Sequence, residues 1–198
     1  MKKFSQRGIL LFGVMLAVCA FVPSMASAAS WSPVGGAAHQ LFSPNLAFTS
    51  TVPGVGQLGS QCNRSEFTGS VVTFNTIEIT AGSFADCMGT FGEGNCTVTA
   101  TGARFPWTAT ATATDNVQIH GVHVTAVFEN TPGNAQACAV PTTVTLTGTL
   151  TGGSWNPTSN EVTLEHENGL TSHSALGSQT LNVSGTIRDT AGTLRMLM

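Results

Sequence analysis

The chain alternates polar and apolar residues with a period of two, and this pattern constrains its fold more than any other feature. Period two places side chains alternately on the two faces of a strand, whereas helical periodicity is hard to find after residue 29. Turn-forming pairs such as Asn156-Pro157, Gly152-Gly153 and Asn168-Gly169 separate the segments. The pattern predicts an all-β, single-domain antiparallel sandwich or barrel. The clearest segments are residues 97–101, 108–114, 122–128, 143–150, 161–164, 181–187 and 193–197.

Residues 29–61 carry fewer strand signals than the rest of the chain. Pro33, Pro44 and Pro53 interrupt this stretch, and proline cannot donate a backbone hydrogen bond to a sheet. We therefore expect this segment to form loop and edge strand around the sheets.

The first 28 residues have the composition of a secretory signal peptide. Lys2, Lys3 and Arg7 precede an apolar run over residues 8–22, and small residues close the segment before Ala29. The run is shorter than the roughly 20 residues that cross a bilayer. The sequence predicts a signal peptide at 1–28 and a secreted domain at 29–198 without a transmembrane helix. A lipid-anchored alternative would use Cys19, but Val18 occupies a position where a smaller residue is preferred.

The predicted mature chain is acidic and contains no lysine. It keeps four arginines against ten acidic residues, a net charge of −6, and it contains 29 threonines. Phosphate binding requires clustered lysine or arginine. The composition therefore excludes nucleic acid as a partner.

Four cysteines remain after the predicted signal: Cys62, Cys87, Cys96 and Cys138. In an exported chain four cysteines predict two disulfides, for which three pairings exist. Cys87 and Cys96 flank a glycine-bearing loop between two strand-like stretches, which favours a local Cys87–Cys96 bridge and a long-range Cys62–Cys138 bridge. The cysteine and histidine spacing does not match a metal site, so we predict no metal and no cofactor.

Two histidine-containing stretches are the candidates for chemistry. His120 and His123 lie three residues apart, which places them on opposite faces of a regular strand unless Gly121 introduces a bulge. In Glu165-His166-Glu167 the carboxylates share one face and the histidine the other, before a turn at Asn168-Gly169. Neither set converges in a regular strand, so we predict no catalytic residues.

Phe105-Pro106-Trp107 marks the entry to an alternating strand. We expect the Trp107 ring to be an anchor of the core, because it begins the strand and carries the largest apolar surface. The alternative is that Trp107, with Phe105, is a contact for a binding partner.

The order of motifs resembles a family of small exported bacterial β-proteins. Cys87, a glycine-bearing loop, the strand Cys96-Thr-Val-Thr-Ala-Thr-Gly102, a Phe105-Pro-Trp107 turn and a later lone Cys138 are similar to the alkane-oxidation protein activators of the Pra type. Phe105 stands where that family has leucine. The resemblance implies an extracellular accessory protein that helps cells meet hydrophobic substrates or build surface matrix, and it carries no catalytic residues.

The sequence therefore predicts a non-catalytic secreted or cell-surface protein that acts by binding or assembly. Its partners would be an apolar ligand, a cell-surface component or a second copy of the chain. Self-association is expected through an uncharged strand within residues 142–151 or 193–198, because charges that block edge pairing are lacking there. The alternatives are an exported enzyme with a site of scattered histidine and glutamate residues, and a β-barrel that carries an apolar ligand.

Overall fold

The computed structural model describes residues 29–33, 38–54, 56–91, 94–112, 115–130, 138 and 142–197. The predicted signal peptide, its lipid-anchored alternative at Cys19, and Met198 lie outside the described residues. The described chain is all-β, as predicted. Its strands are β1 (Ser30–Ser32), β2 (His39–Ser43), β3 (Leu46–Val52), β4 (Gly56–Thr73), β5 (Thr76–Phe91), β6 (Gly94–Gly102), β7 (Trp107–Ala111), β8 (Asn116–Asn130), β9 (Thr142–Asn156), β10 (Glu161–Ser174), β11 (Gly177–Asp189) and β12 (Arg195–Leu197).

The strands form a closed antiparallel barrel with eight positions around its circumference. The order is β4, β3, β11, β10, β9, β8, β6 and β5, and the pairing of β5 with β4 closes the ring. β2 continues the position of β3 and pairs with β4 and β11. β7 continues the position of β6 and pairs with β5 and β8. Of the two predicted architectures, the barrel is therefore the one that forms.

Alternation along each strand separates the barrel interior from its surface. In β3, Leu46, Phe48, Ser50 and Val52 are buried, whereas the residues that alternate with them are partly or fully exposed. In β7, Trp107, Ala109 and Ala111 point inward, and the threonines between them, Thr108 and Thr110, lie on the outer face. Threonine thus occupies the solvent side of the strands, where a β-branched side chain suits a pleated surface.

A separate two-stranded sheet of β1 and β12, which we name the cap, lies at one end of the barrel. Trp31 of β1 pairs with Met196 of β12, and both side chains are buried. The backbone N–H of Trp31 also donates to the carbonyl of Phe74 in the β4–β5 turn. The cap is therefore attached to the barrel wall through β1, and we name this end of the barrel the cap end.

The prediction that residues 29–61 form loop and edge strand is wrong. This segment supplies β1, β2, β3 and the start of β4, and the last three of these belong to the barrel wall. Pro44 and Pro53 lie between the strands, where they remove no pairing hydrogen bond. The prolines therefore mark the ends of strands instead of breaking the wall.

Two of the predicted turns are bulges within long strands. Gly152-Gly153 lies inside β9, and Asn168-Gly169 lies inside β10, which is irregular between Leu164 and Leu170. A Cβ atom at Gly169 would overlap the carbonyl oxygen of Thr149 on β9. Glycine is needed here because the two backbones lie too close together for a side chain. Gly169 therefore marks a close backbone contact within the sheet, and not the turn that the sequence predicts.

The disulfides join Cys62 to Cys87 and Cys96 to Cys138. The predicted Cys87–Cys96 and Cys62–Cys138 pairing is wrong. Cys62 and Cys87 are direct cross-strand partners on β4 and β5, whereas Cys96 is opposite Gly89. The bridge joins two cysteines that the pairing of β4 with β5 places opposite each other. The spacing of the cysteines along the chain does not reveal this strand pairing.

We expect the double variant Cys62→Ser/Cys87→Ser to lose about 2–5 kcal/mol of unfolding free energy, because the unfolded chain is no longer constrained by that loop. Urea titration under non-reducing conditions measures the loss. Non-reducing peptide mapping of the unaltered protein should yield a fragment linking Cys62 to Cys87, and a fragment linking Cys87 to Cys96 would contradict the structure.

Candidate functional site

The barrel encloses an apolar cavity that runs along its interior. The cavity has a volume of about 60 Å³. It is lined by 23 residues, all apolar or aromatic except Asp189. Phe48 and Phe84 line one part of it, and Trp31, Trp155 and Asp189 line its cap end. An eight-stranded barrel is just wide enough for side chains to fill it or to hold one small ligand.

Trp107 lies on the inner wall, and the prediction that its ring anchors the core is confirmed. The side chain is 4% exposed, and its Nε1–H donates to the carbonyl of Ala103 at 3.0 Å. Its ring stacks on Phe105, with the ring centroids 4.7 Å apart. Phe105 is partly buried against the core and does not line the cavity. A contact role for either residue stays a prediction.

Two tryptophans meet where the cap closes the barrel. Trp31 of β1 and Trp155 of β9 pack edge to face, with ring centroids 5.3 Å apart. Trp31 is 2% exposed and Trp155 is 4% exposed. Their indole Nε1 atoms are buried and have no hydrogen-bond partner. The two rings therefore close this end of the barrel with apolar surface, and each ring carries an N–H donor without a hydrogen-bond partner.

Asp189, at the end of β11, holds the turn that leads into the cap. Its Oδ2 accepts hydrogen bonds from the backbone N–H and the hydroxyl of Thr193 at 2.8 and 3.1 Å, and from the N–H of Leu194 at 2.9 Å. His39 Nδ1 lies 3.5 Å from the same oxygen. The other oxygen, Oδ1, is buried without a partner.

The pKa of the Asp189 carboxyl reflects two opposing effects. Burial raises the pKa, but the hydrogen bonds from Leu194 and Thr193, together with the nearby His39, lower it by more, so the pKa lies below its ordinary value of 3.8. Asp189 is therefore a carboxylate at neutral pH. It is the one charged group on the wall of the cavity.

The two candidate histidines lie on the same face, contrary to the expectation for a regular strand. Gly121 has a φ of 71°, and the register of β8 with β9 shifts around it. Val122 is buried, while His120 and His123 are both partly exposed on the outer surface. Gly121 thus introduces a bulge, the alternative that the sequence analysis gives for a regular strand. Among the described residues, no group of three or more histidine, cysteine, aspartate or glutamate side chains could hold a metal ion.

Glu165, His166 and Glu167 lie in the irregular part of β10, not before a turn. His166 has a φ of 54°, and its N–H donates to the Ser184 hydroxyl at 3.2 Å. Glu167 accepts a hydrogen bond from the N–H of Gly152 at 2.8 Å. Glu167 therefore satisfies a backbone donor in β9, where the bulge interrupts the pairing of the two strands. The structure does not bring this trio together with His120 and His123 in a cleft.

The sequence did not single out Trp31, Trp155 or Asp189. Trp31 and Trp155 lie far apart along the chain and pack against each other only in the folded barrel, where both line the same cavity as Asp189. The sequence carries one indication of the role of Asp189. It lies two residues before the predicted Ala191-Gly192 turn, and Thr193 follows that turn. Aspartate at such a position bonds to the backbone that follows.

Comparisons with protein-family models, with curated protein sequences and with solved structures find no match to this chain. Across the residues that the structure describes, no helix is long and apolar enough to cross a membrane. The two disulfides agree with an oxidising environment.

We expect the cap to depend on pH through Asp189. Because the pKa of Asp189 is lowered by folding, its contribution to stability is present above the unfolded pKa and is lost as pH falls through the folded pKa. Asp189→Asn should cost about 1.5–3 kcal/mol near neutral pH, the usual value for hydrogen bonds to a charged group. The difference in melting temperature from the unaltered protein should shrink in acid. Glu165→Gln, which alters an exposed carboxylate, is the control; a constant difference for Asp189→Asn at every pH would contradict the assignment.

Proposed function

We propose that the protein is an exported, non-catalytic binding protein that encloses a small apolar molecule in its barrel. The observation that carries the proposal is the cavity, whose surface is entirely apolar. Ligand sites are concave and mostly apolar. This cavity has the apolar lining of such a site on a small scale.

The size of the cavity limits the ligand. A volume of about 60 Å³ is less than half of the ~150 Å³ of an engineered apolar cavity that binds benzene. The ligand therefore has a few heavy atoms, and a larger one would have to displace Phe84 or another ring on the wall. Apolar cavities in proteins stay dry and bind small apolar guests, including xenon.

The sequence gives independent support for the same proposal. The predicted signal peptide and the two disulfides favour export. The resemblance to the alkane-oxidation protein activators implies contact with hydrophobic substrates. Glu167 accepts a hydrogen bond from the backbone of Gly152, and His120 and His123 lie on the outer surface of β8, which makes catalysis the weaker proposal.

Xenon is the probe for this function. We expect xenon to bind in the barrel, with changes in the methyl NMR signals of cavity-lining residues such as Leu170 and Val183. Leu170→Phe, which fills part of the cavity, should weaken binding at least tenfold, and Leu176→Phe on an exposed turn is the matched control. Methyl signals that do not respond to xenon would overturn the proposal.

A second candidate function, assembly with other copies, is favoured by the geometry of the cap. β1 lies between β12 and the β4–β5 turn, and among the described strands β12 pairs with β1 alone. Leu197 on β12 is 54% exposed and Phe74 in the turn is 57% exposed. An unpaired strand edge with exposed apolar residues is a template for β-addition.

The other predicted edge, residues 142–151, lies within the barrel wall. It belongs to β9, which is paired with β8 along most of its length and with β10 on both sides of the bulge. The expectations for residues 142–151 and for residues 193–198 both stay predictions, and β12 is the stronger candidate because among the described strands it pairs with β1 alone.

If assembly occurs, we expect light scattering to show a mass that rises with protein concentration, and Leu197→Lys to abolish the rise, because a lysine on an edge opposes strand pairing. Thr145→Lys, on the outer face of the doubly paired β9, is the control and should leave the mass unchanged. A monomer at all concentrations would overturn this candidate and leave ligand binding untouched.

A further inference from the structure

A groove crosses the outer surface of the barrel over β3, β4, β5 and β6, and we name it the outer groove. It has a volume of about 360 Å³, within the ~300–1,000 Å³ that is usual for ligand sites. Among the described residues, none lines both the outer groove and the interior cavity. The outer groove is therefore a separate site, and its sides are two rows of cross-strand partners.

The first row runs across all four strands. Thr49 lies opposite Gly59, and Gly59 lies opposite Thr90. Thr90 lies opposite Asn95. A Cβ atom at Gly59 would lie 3.3 Å from Thr90 Oγ1 and 3.4 Å from Thr49 Cγ2, so the side chains of both threonines come close above the glycine. Gly59 is therefore the floor of the groove, with a threonine on each side.

The second row lies two residues away along the strands, on the same face of the sheet. Ala47 lies opposite Gln61, and Gln61 lies opposite Met88. Side chains two residues apart on a strand are separated by about 6–7 Å. Gln61 and Met88 are exposed, and Gln61 Nε2 donates to Asn63 Oδ1 at 3.3 Å. These long side chains thus stand beside the glycine floor.

The outer groove is polar but carries no charge. Among the described residues that line it, none has an ionisable side chain. Its surface polar groups are two hydroxyls, Thr49 and Thr90, and three amides, Gln61, Asn63 and Asn95, and each of them can both donate and accept. Within the described chain, the side chains of Thr49, Thr90 and Asn95 form no hydrogen bond. They are therefore available to a ligand.

This chemistry favours a sugar. Sugar hydroxyls both donate and accept, and the C–H face of a sugar ring packs against an apolar side chain such as Met88, which is 66% exposed. A charged ligand would lose hydration without meeting an opposite charge. A peptide is disfavoured because β4 and β5 are paired on both sides, which leaves no free strand edge for β-addition.

We infer that the outer groove binds a neutral oligosaccharide, with its hydroxyls on the amides and threonines and one ring on Met88. The inference goes beyond the proposed function, because it concerns a second site and a second class of ligand. For an exported protein, such a site would provide contact with the carbohydrate of a cell surface or matrix.

The test titrates the protein with cellotriose, maltotriose and triacetylchitotriose, and NMR is the readout. We expect at least one of these sugars to shift the side-chain amide signals of Gln61 and Asn95 and the methyl signal of Met88. N-acetyl-tetraglycine amide offers neutral donors and acceptors without hydroxyls, and it should bind at least about tenfold more weakly. Silence of these signals towards all the sugars, or equal binding of the peptide, would overturn the inference.

Variants place the sugar in the outer groove. Thr90→Val keeps the shape of the side chain and removes its hydroxyl, and Asn95→Ala removes an amide. Each should weaken sugar binding about fivefold, the effect of one hydrogen bond. Thr143→Val, at an exposed threonine outside the groove, is the matched control and should leave the affinity unchanged.

Xenon binding separates this inference from the proposed function. All three variants should keep the melting temperature of the unaltered protein and its response to xenon, because none of these residues lines the interior cavity. An affinity for sugar that is the same in Thr90→Val, Asn95→Ala and the unaltered protein would overturn the assignment of the outer groove. That result would leave the interior cavity and its xenon test untouched.

Discussion

The pairing of β4 with β5 closes the sheet on itself, and the remaining features of the molecule depend on that closure. The pairing extends from Leu58 opposite Phe91 to Thr73 opposite Thr76, and the Cys62–Cys87 bridge crosses it. A closed sheet has no edges along its wall. Without this pairing β4 and β5 would be two edges, and the apolar inner faces of all eight positions would be open to water.

Closure with eight strands also sets the width of the interior. Aromatic side chains fill much of this narrow interior; Phe67 and Phe84, on the neighbouring strands β4 and β5, pack edge to face with ring centroids 5.6 Å apart. The space that remains includes the narrow cavity described above. The proposed function follows from this width, because only a small ligand fits between walls that already meet.

Closing the wall leaves the ends of the barrel to be covered by other means. The cap covers one end with two short strands, and it is held by Asp189, whose carboxylate bonds the turn before β12. Burying a charge is costly unless hydrogen bonds compensate for it. One oxygen is compensated by three hydrogen bonds from the turn. The stability of the cap therefore depends on this carboxylate.

The sequence by itself determined the strand content, the inward and outward faces and the burial of Trp107, because alternation with period two is a local property of the backbone. It also indicated that four cysteines make two bridges. Only the tertiary structure decided the pairing of those bridges, the bulge at Gly121 that turns His120 and His123 to one face, and the use of Gly169 for close backbone approach. It also decided the contact of Trp31 with Trp155, which lie far apart along the chain. That contact depends on strand register and on where the strands end, and register is set by the closure of the whole sheet, which no short segment encodes.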